Sequence, residues 1–287
     1  MPITGAARIA GIMGWPVSHS RSPALHGFWL AEYGIDGAYV PLAVPPDRLE
    51  QALRALPALG FRGCNLTIPH KQAALKIMDR VDPFARSIGA MNTVVVTPDG
   101  ELEGSNTDVF GFRENLREQA PAWRASAGPA VVLGAGGGAR AVIAALIAAG
   151  VGEIRLVNRS PDHAEALAGD LATPETRITV HPWQQRAEVL AGGGILVNTT
   201  SLGMDKEPPL DLDLRALPES AVVVDIVYVP LETGLLAAAR RRGNPCVDGL
   251  GMLLHQGRPG FSAWFGVAPE VSPALRQAML ATLAGSR

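Results

Sequence analysis

A serine pair at Ser18 and Ser20, an amide and a hydroxyl at Asn65 and Thr67, a lysine at Lys71, a second amide at Asn92 and a carboxylate at Asp108 make a set suited to one kind of chemistry. Hydroxyls and amides bind alcohol groups, and a lysine beside a carboxylate can pass a proton to and from a substrate oxygen. These residues fall near the ends of segments that read as strands, and in α/β sheets ligands gather at the carboxyl ends of strands. Taken singly, each has a plainer reading. Ser18, Ser20 and Ser22 serve as turn and cap residues, Asn92 as a strand start, Asp108 as a helix N-cap, and Lys71 as a solvated cation behind a proline. The set as a whole points to a small polyhydroxylated ligand.

A second set lies further along the chain. The apolar run Ala130 to Leu133 reads as a short buried strand, and it breaks into Gly134-Ala135-Gly136-Gly137-Gly138 before a helical segment from Arg140 to Ala149. Gly134, Gly136 and Ala139 stand at the G-x-G-x-x-G/A spacing of a dinucleotide-binding turn. The first glycine admits the tight turn, the second lets a pyrophosphate approach the backbone, and the small third residue lets helix and strand pack closely. The pyrophosphate would rest on the helix N-terminus, where unpaired N–H groups and the macrodipole favour anions. A strand at Ile154 to Val157 completes a βαβ unit. An NAD site usually places Asp or Glu there to hold the ribose 2′-hydroxyl, whereas this chain reads Asn158-Arg159-Ser160. Arg159 can pair with a 2′-phosphate and lay its planar face on adenine, so NADP is the cofactor expected.

The elements that must position these residues alternate along the chain. Strands are expected at Arg8–Met13, Ala38–Ala43 and Arg62–Leu66, with helices at Pro23–Tyr33 (Ser22 as N-cap), Asp47–Leu56 and from about Gln72. A hairpin joins Asn92–Val96 to Glu101–Glu103, a helix spans Asp108 to Gln119, and 121–129 reads as a linker. After the βαβ unit come a helix (Asp162–Leu171), strands Ile195–Asn198 and Val222–Asp225, a helix (Glu232–Arg242), a strand (Pro245–Val247) and a tail helix (Pro273–Leu283). The fold expected is α/β: an N-terminal α/β substrate domain plus a C-terminal Rossmann-type doubly wound parallel sheet. The domains would be 1–120, completed by C-terminal helices at about 250–287, and 121–249, with hinges near 121–129 and Gly249.

The 287 residues suit two domains, and 47% hydrophobic against 18% charged residues means sizeable cores. A net charge of −2 with no basic run argues against a nucleic-acid partner. The Arg240-Arg241-Arg242 triplet suits the last turn of a helix ending at Gly243. Cys64 and Cys246 offer neither metal spacing nor a disulfide framework. No signal-peptide core and no apolar run of membrane-spanning length is present, so a cytoplasmic chain that binds no metal and no membrane is expected.

Motifs spread over nearly the whole chain resemble the shikimate dehydrogenase family. They are Gly14-Trp15-Pro16-Val17-Ser18-His19-Ser20-Arg21-Ser22-Pro23, Asn65-Leu66-Thr67-Ile68-Pro69-His70-Lys71, Gly89-Ala90-Met91-Asn92-Thr93 and Gly104-Ser105-Asn106-Thr107-Asp108. The glycine turn, Asn158-Arg159-Ser160, Asn198-Thr199-Thr200 and Asp248-Gly249-Leu250-Gly251-Met252 with Gln256 follow. The resemblance implies reversible NADPH-dependent reduction of 3-dehydroshikimate to shikimate, by a monomer or homodimer. It implies that Ser18, Ser20 and Tyr228 hold the substrate carboxylate, and that Thr67, Asn92, Asp108 and Gln256 bind ring hydroxyls. Lys71 would be the general acid/base with Asp108 beside it. Gly134, Ala135, Gly136, Gly137 and Gly138, with Asn158, Arg159, Ser160 and His163, would hold NADP, and Ile226 and Gly249 would lie near the nicotinamide. Quinate-using relatives tend to replace the second serine of the pair, so Ser20 favours shikimate over a quinate or dual-specificity enzyme. A non-catalytic NADP-responsive regulator would not need the Lys71–Asp108 pair.

Two positions depart from the family pattern. His163 stands where Lys or Arg is common, and a neutral imidazole is a poorer phosphate partner, which softens the NADP preference. His70, before the lysine, reads as a variable surface position.

Overall fold

A computed structural model of the chain describes residues 3–284. They form two compact units, 3–107 with 253–284, and Asp108–Met252.

The first unit is built on a six-stranded mixed sheet. Its strands are β1 (Arg8–Gly14), β2 (Gly37–Ala43), β3 (Phe61–Leu66), β4 (Arg80–Val81), β5 (Thr93–Val96) and β6 (Leu102–Ser105), in the order β2-β1-β3-β5-β6-β4. β1 runs parallel to β2 and β3, while β5 and β6 form the antiparallel hairpin, with Thr93 opposite Ser105. The unit's helices include α1 (Ser22–Glu32), α2 (Leu49–Ala55), α3 (Pro83–Ile88) and the expected tail helix, here Pro273–Ala284. One core gathers Met13, Leu53, Leu66, Met91 and Val94.

The other face is closed by aromatic rings. His26 of α1 stacks on Tyr39 of β2 with ring centres 3.9 Å apart, and Trp29, Phe261 and Trp264 surround it. Burial pushes the His26 imidazole down to about 3, so the ring packs as a neutral group. Trp264 donates its indole N–H to the Val94 carbonyl at 2.9 Å, and this anchors the C-terminal helix Gly249–Phe265 to the sheet from Leu253 onward.

Several local expectations change here. Arg21, not Ser22, is the residue before α1, and Ser22 opens the helix without capping it; its N–H instead meets the Ser20 hydroxyl at 3.3 Å. The helix expected from Gln72 is a single 3-10 turn, Ala73–Lys76. α3 and β4 leave no periodic signal in the sequence, since neither is long enough to show one. The Asp82 carboxylate caps α3 by accepting from the Phe84 and Ala85 N–H groups.

The second unit is a six-stranded, wholly parallel sheet: β7 (Ala130–Leu133), β8 (Glu153–Asn158), β9 (Arg177–Pro182), β10 (Ile195–Asn198), β11 (Val222–Asp225) and β12 (Cys246–Val247). Its order is β9-β8-β7-β10-β11-β12, which counted from β7 is the 3-2-1-4-5-6 order of a dinucleotide-binding sheet. β7, β10 and β11 are buried at every position, which explains why they read as continuous apolar runs. Around them lie α4 (Asp108–Gln119), α5 (Gly137–Ala148), α6 (Pro161–Leu171) and α7 (Gly234–Arg241). β9 is only partly buried along its length, so its apolar pattern in the sequence is weak.

α4 packs on α5 and β12 and so belongs to the second unit. The change of unit falls at Thr107–Asp108 and again at Met252–Leu253, not at the 121–129 linker or at Gly249. The cause is visible in the hydrogen bonds. Asn115 Nδ2 donates to the Asp248 carbonyl at 2.7 Å, and Gln119 Nε2 donates to Asn115 Oδ1 at 2.6 Å, which fastens α4 to the start of the helix Gly249–Phe265.

Candidate active site

In the first unit three loops at strand ends are tied together by the backbone. The Thr67 N–H donates to the Met13 carbonyl at 2.9 Å, and the Trp15 N–H donates to the Ile68 carbonyl at 3.1 Å. A Cβ on Gly14 would overlap the Thr67 methyl group, so the close approach of these loops requires glycine there. The Met91 N–H donates to the Lys71 carbonyl at 2.9 Å, and the Leu66 N–H donates to the Asn92 carbonyl at 2.8 Å. The structure therefore brings the Ser18–Ser20 loop, Thr67, Lys71 and Asn92 to one end of the sheet.

Asn92 is buried, and its Oδ1 accepts from the Thr107 N–H at 2.8 Å and from the Thr93 and Thr107 hydroxyls. Asn65 serves as a brace. It donates to the Asn92 carbonyl at 3.0 Å and to the Thr93 hydroxyl at 3.1 Å, and accepts from the Tyr39 hydroxyl at 2.6 Å. Ser18 is exposed, while Ser20, Thr67, Lys71 and Gln256 are half-buried, Gln256 on the helix Gly249–Phe265.

His70 is not a surface residue. It is 1% exposed, and its Nε2 lies 2.8 Å from the Val44 carbonyl. A carbonyl can only accept, so Nε2 carries the proton and the ring pins the lysine loop to the segment after β2.

Asp108 and Tyr228 belong to the second unit. Asp108 is buried, the first residue of α4, directly after Thr107; Tyr228 follows β11.

The glycine turn of the second unit has the expected form. Gly134 has φ +104°, its N–H donates to the Val157 carbonyl at 2.8 Å, and an added Cβ would lie 2.8 Å from the Thr199 hydroxyl oxygen. Gly136 precedes α5 in extended conformation, and a Cβ there would meet nothing within 4 Å. Nothing in the protein's own packing requires glycine at that position, and the space above it lies at a helix N-terminus. A Cβ on Gly138 would lie 2.9 Å from Ile226 Cδ1, and one on Gly249 would overlap the Ile226 carbonyl; these three residues are thus brought together, and Ala135 lies within the same turn.

At the end of β8, Asn158 Nδ2 donates to the Ser160 carbonyl at 2.9 Å and rounds off a turn on which Arg159, Ser160 and, in α6, His163 are exposed. Sequence reasoning missed one buried polar cluster in this unit, formed by Asn198, Asp225 and Thr233. The available signal was that β10 and β11, otherwise apolar, end in Asn and Asp. Among the described residues no group of three or more His, Cys, Asp or Glu side chains is placed to hold a metal ion, and no helix is long and apolar enough to cross a membrane.

A parallel sheet in this order, with a glycine turn leading from its first strand into a helix, defines a dinucleotide-binding α/β protein. The chain belongs to the shikimate dehydrogenase family. Residues 12–94 match the shikimate dehydrogenase substrate binding domain, and residues 118–207 match shikimate / quinate 5-dehydrogenase. It is 64% identical over 279 residues to a shikimate dehydrogenase (NADP(+)) from Rhodospirillum rubrum, covering 97% of this chain and 99% of that one. Among solved structures, a shikimate 5-dehydrogenase from Thermus thermophilus in complex with NADP(H) and shikimate is 38% identical with a TM-score of 0.82, covering 96% of this chain and 98% of that one. A quinate dehydrogenase from Corynebacterium glutamicum in complex with NAD is 33% identical with a TM-score of 0.88, covering 96% and 99%.

Proposed function

We propose that the chain is an oxidoreductase that interconverts shikimate and 3-dehydroshikimate with NADP, acting in the cytoplasm as a monomer or homodimer. The observation that carries this reading is the backbone tie between the loop bearing Thr67 and Lys71 and both the serine loop and Asn92. It gathers hydroxyls, an amide and a cation at one strand end, a set matched to a polyhydroxylated carboxylate.

In this reading Ser18 and Ser20, with Tyr228, receive the substrate carboxylate, and Thr67, Asn92, Asp108 and Gln256 receive the ring hydroxyls. Bound NADPH supplies the hydride. The Lys71 ammonium faces the ketone oxygen, stabilises the negative charge that grows there, and delivers the proton that completes the alcohol. Asp108 supplies the carboxylate of the proton-transfer pair and accepts from a substrate hydroxyl.

The second unit fits the cofactor on its own terms. Gly136 leaves the α5 N-terminus open to a pyrophosphate, Gly134, Ala135, Gly137 and Gly138 complete the turn, and Arg159 with Asn158, Ser160 and His163 receives the 2′-phosphate in this reading. Ile226 and Gly249 border the nicotinamide side.

Kinetics of Lys71→Ala, Asp108→Ala and the double variant test the proton-transfer pair. Lys71→Ala lowers kcat by about 10²–10⁴-fold with little change in the shikimate KM, whereas Asp108→Ala lowers kcat and also raises KM, because its carboxylate accepts a substrate hydroxyl. The double variant should be little slower than the worse single one, because the two act as a unit. A Lys71→Ala enzyme with near-normal kcat would remove the lysine from the mechanism.

A further inference from the structure

Two neighbouring strands of the second unit end in polar side chains that are fully buried. Asn198 closes β10 and Asp225 closes β11, each 0% exposed, and the equally buried Thr233 precedes α7. Asp225 Oδ1 accepts from Asn198 Nδ2 at 3.0 Å and from the Val227 N–H at 3.1 Å, and Oδ2 accepts from the Thr233 hydroxyl at 2.7 Å. The Ile226 N–H donates to the Asn198 carbonyl at 3.1 Å. Both residues that follow Asp225 are therefore held by this cluster, one through the Asn198 carbonyl and one through the carboxylate. Asn198 Oδ1 also accepts from the N–H and hydroxyl of Thr200, so the loop after β10 is shaped by the same group.

We infer that Asp225 is a positioning residue, whose carboxylate sets the course of the Ile226–Tyr228 segment by accepting from Asn198, Val227 and Thr233 at once. That segment is where the proposed function puts the nicotinamide side (Ile226) and a substrate carboxylate contact (Tyr228), and the inference rests on that reading for the identity of the ligands.

Three donors converge on this group, and a carboxylate offers acceptors on both oxygens. An asparagine would keep Oδ1 but turn a donor toward the Thr233 oxygen, which already accepts from the Leu236 N–H; the Thr233 proton would lose its acceptor. The groups acting on Asp225 are all neutral, and burial raises its carboxyl to about 6. A buried carboxylate without a cation beside it burdens the folded state, so its use lies in geometry.

Asp225→Asn and Thr233→Val remove the carboxylate–hydroxyl bond from either side, and Thr233→Ser keeps it. Three readings are made on each at about pH 8: NADP affinity by fluorescence titration without substrate, steady-state kinetics with shikimate, and Tm. A displaced segment costs about ten- to a hundredfold in kcat/KM for shikimate, with a raised Kd for NADP. The Tm of Asp225→Asn should be no more than about 2 °C below wild type, which separates positioning from a merely structural role. Thr233→Ser should behave as wild type, and Asp225→Asn/Thr233→Val should be no worse than either single variant.

Unchanged kcat/KM and unchanged NADP affinity in both variants would overturn the inference, as would losses that follow a fall in Tm from variant to variant. Failure of the wild-type chain to turn over shikimate would sink the functional reading instead. The NADP titration then decides the positioning role alone: a raised Kd supports it and an unchanged Kd overturns it.

Discussion

Gly136→Ala should separate cofactor affinity from stability. The residue sits at the N-cap of α5 with φ −89° and ψ −170°, a conformation any residue adopts, and an added Cβ meets nothing within 4 Å. Two effects on stability oppose each other. Replacing glycine restricts the unfolded chain, which stabilises by about 0.4–1 kcal/mol, whereas alanine is a poorer N-cap than glycine by a similar amount. Their near-cancellation leaves Tm within about 3 °C of wild type. Binding should suffer, because the methyl group enters the space that the pyrophosphate must reach to meet the helix N-terminus. Loss of one charge-assisted contact of about 1.5–3 kcal/mol raises the NADP Kd by about ten- to a hundredfold. Gly134→Ala is the contrast: its φ of +104° and the Thr199 oxygen 2.8 Å from the new Cβ should lower Tm as well. Calorimetry and fluorescence titration on both variants decide the matter. A Gly136→Ala protein that binds NADP normally would refute the placement of the pyrophosphate.

Arg159→Ala should weaken NADP binding by about ten- to a hundredfold and leave NAD binding nearly unchanged; equal losses for the two cofactors would remove the 2′-phosphate contact. His70→Phe keeps a ring in the buried site but strands the Val44 carbonyl, at a cost of about 1–3 kcal/mol, so Tm should fall by about 3–10 °C, and an unchanged Tm would show that the bond contributes nothing. Burial raises the Asp225 carboxyl from 3.8 to about 6, so between these pH values the folded chain keeps a proton that the unfolded chain has released. Its contribution to stability is greatest below about pH 4 and is lost as pH rises through about 6, by about 3 kcal/mol in all. Denaturant unfolding of wild type and Asp225→Asn across that range should show wild type falling relative to the variant, and parallel curves would contradict it.

Sequence reading succeeded where one physical requirement dominates. The β7 run and the glycines after it were legible because a strand buried on both faces must be apolar and a turn at φ +104° needs glycine. The lysine loop is legible through its motif, but the burial of His70 is not. A histidine between proline and lysine looks like loop surface, and only the fold reveals that its partner is the Val44 carbonyl. The span of α4 is legible in its helical pattern, but the unit it joins is not, because the amide contacts that fasten it, Asn115 and Gln119 to Asp248, join positions far apart in the chain. The Asn198–Asp225–Thr233 cluster escaped for the same reason: each residue alone is an ordinary strand end or cap.

Initial rates of the wild-type protein with NADP or NAD against shikimate or quinate, followed by absorbance of the reduced nicotinamide, measure the proposed activity itself. Shikimate with NADP should have the highest kcat/KM of the four combinations, with NAD well below it and quinate poorly used. Quinate preferred over shikimate, or no turnover of either substrate with either cofactor, would rule out a shikimate dehydrogenase activity.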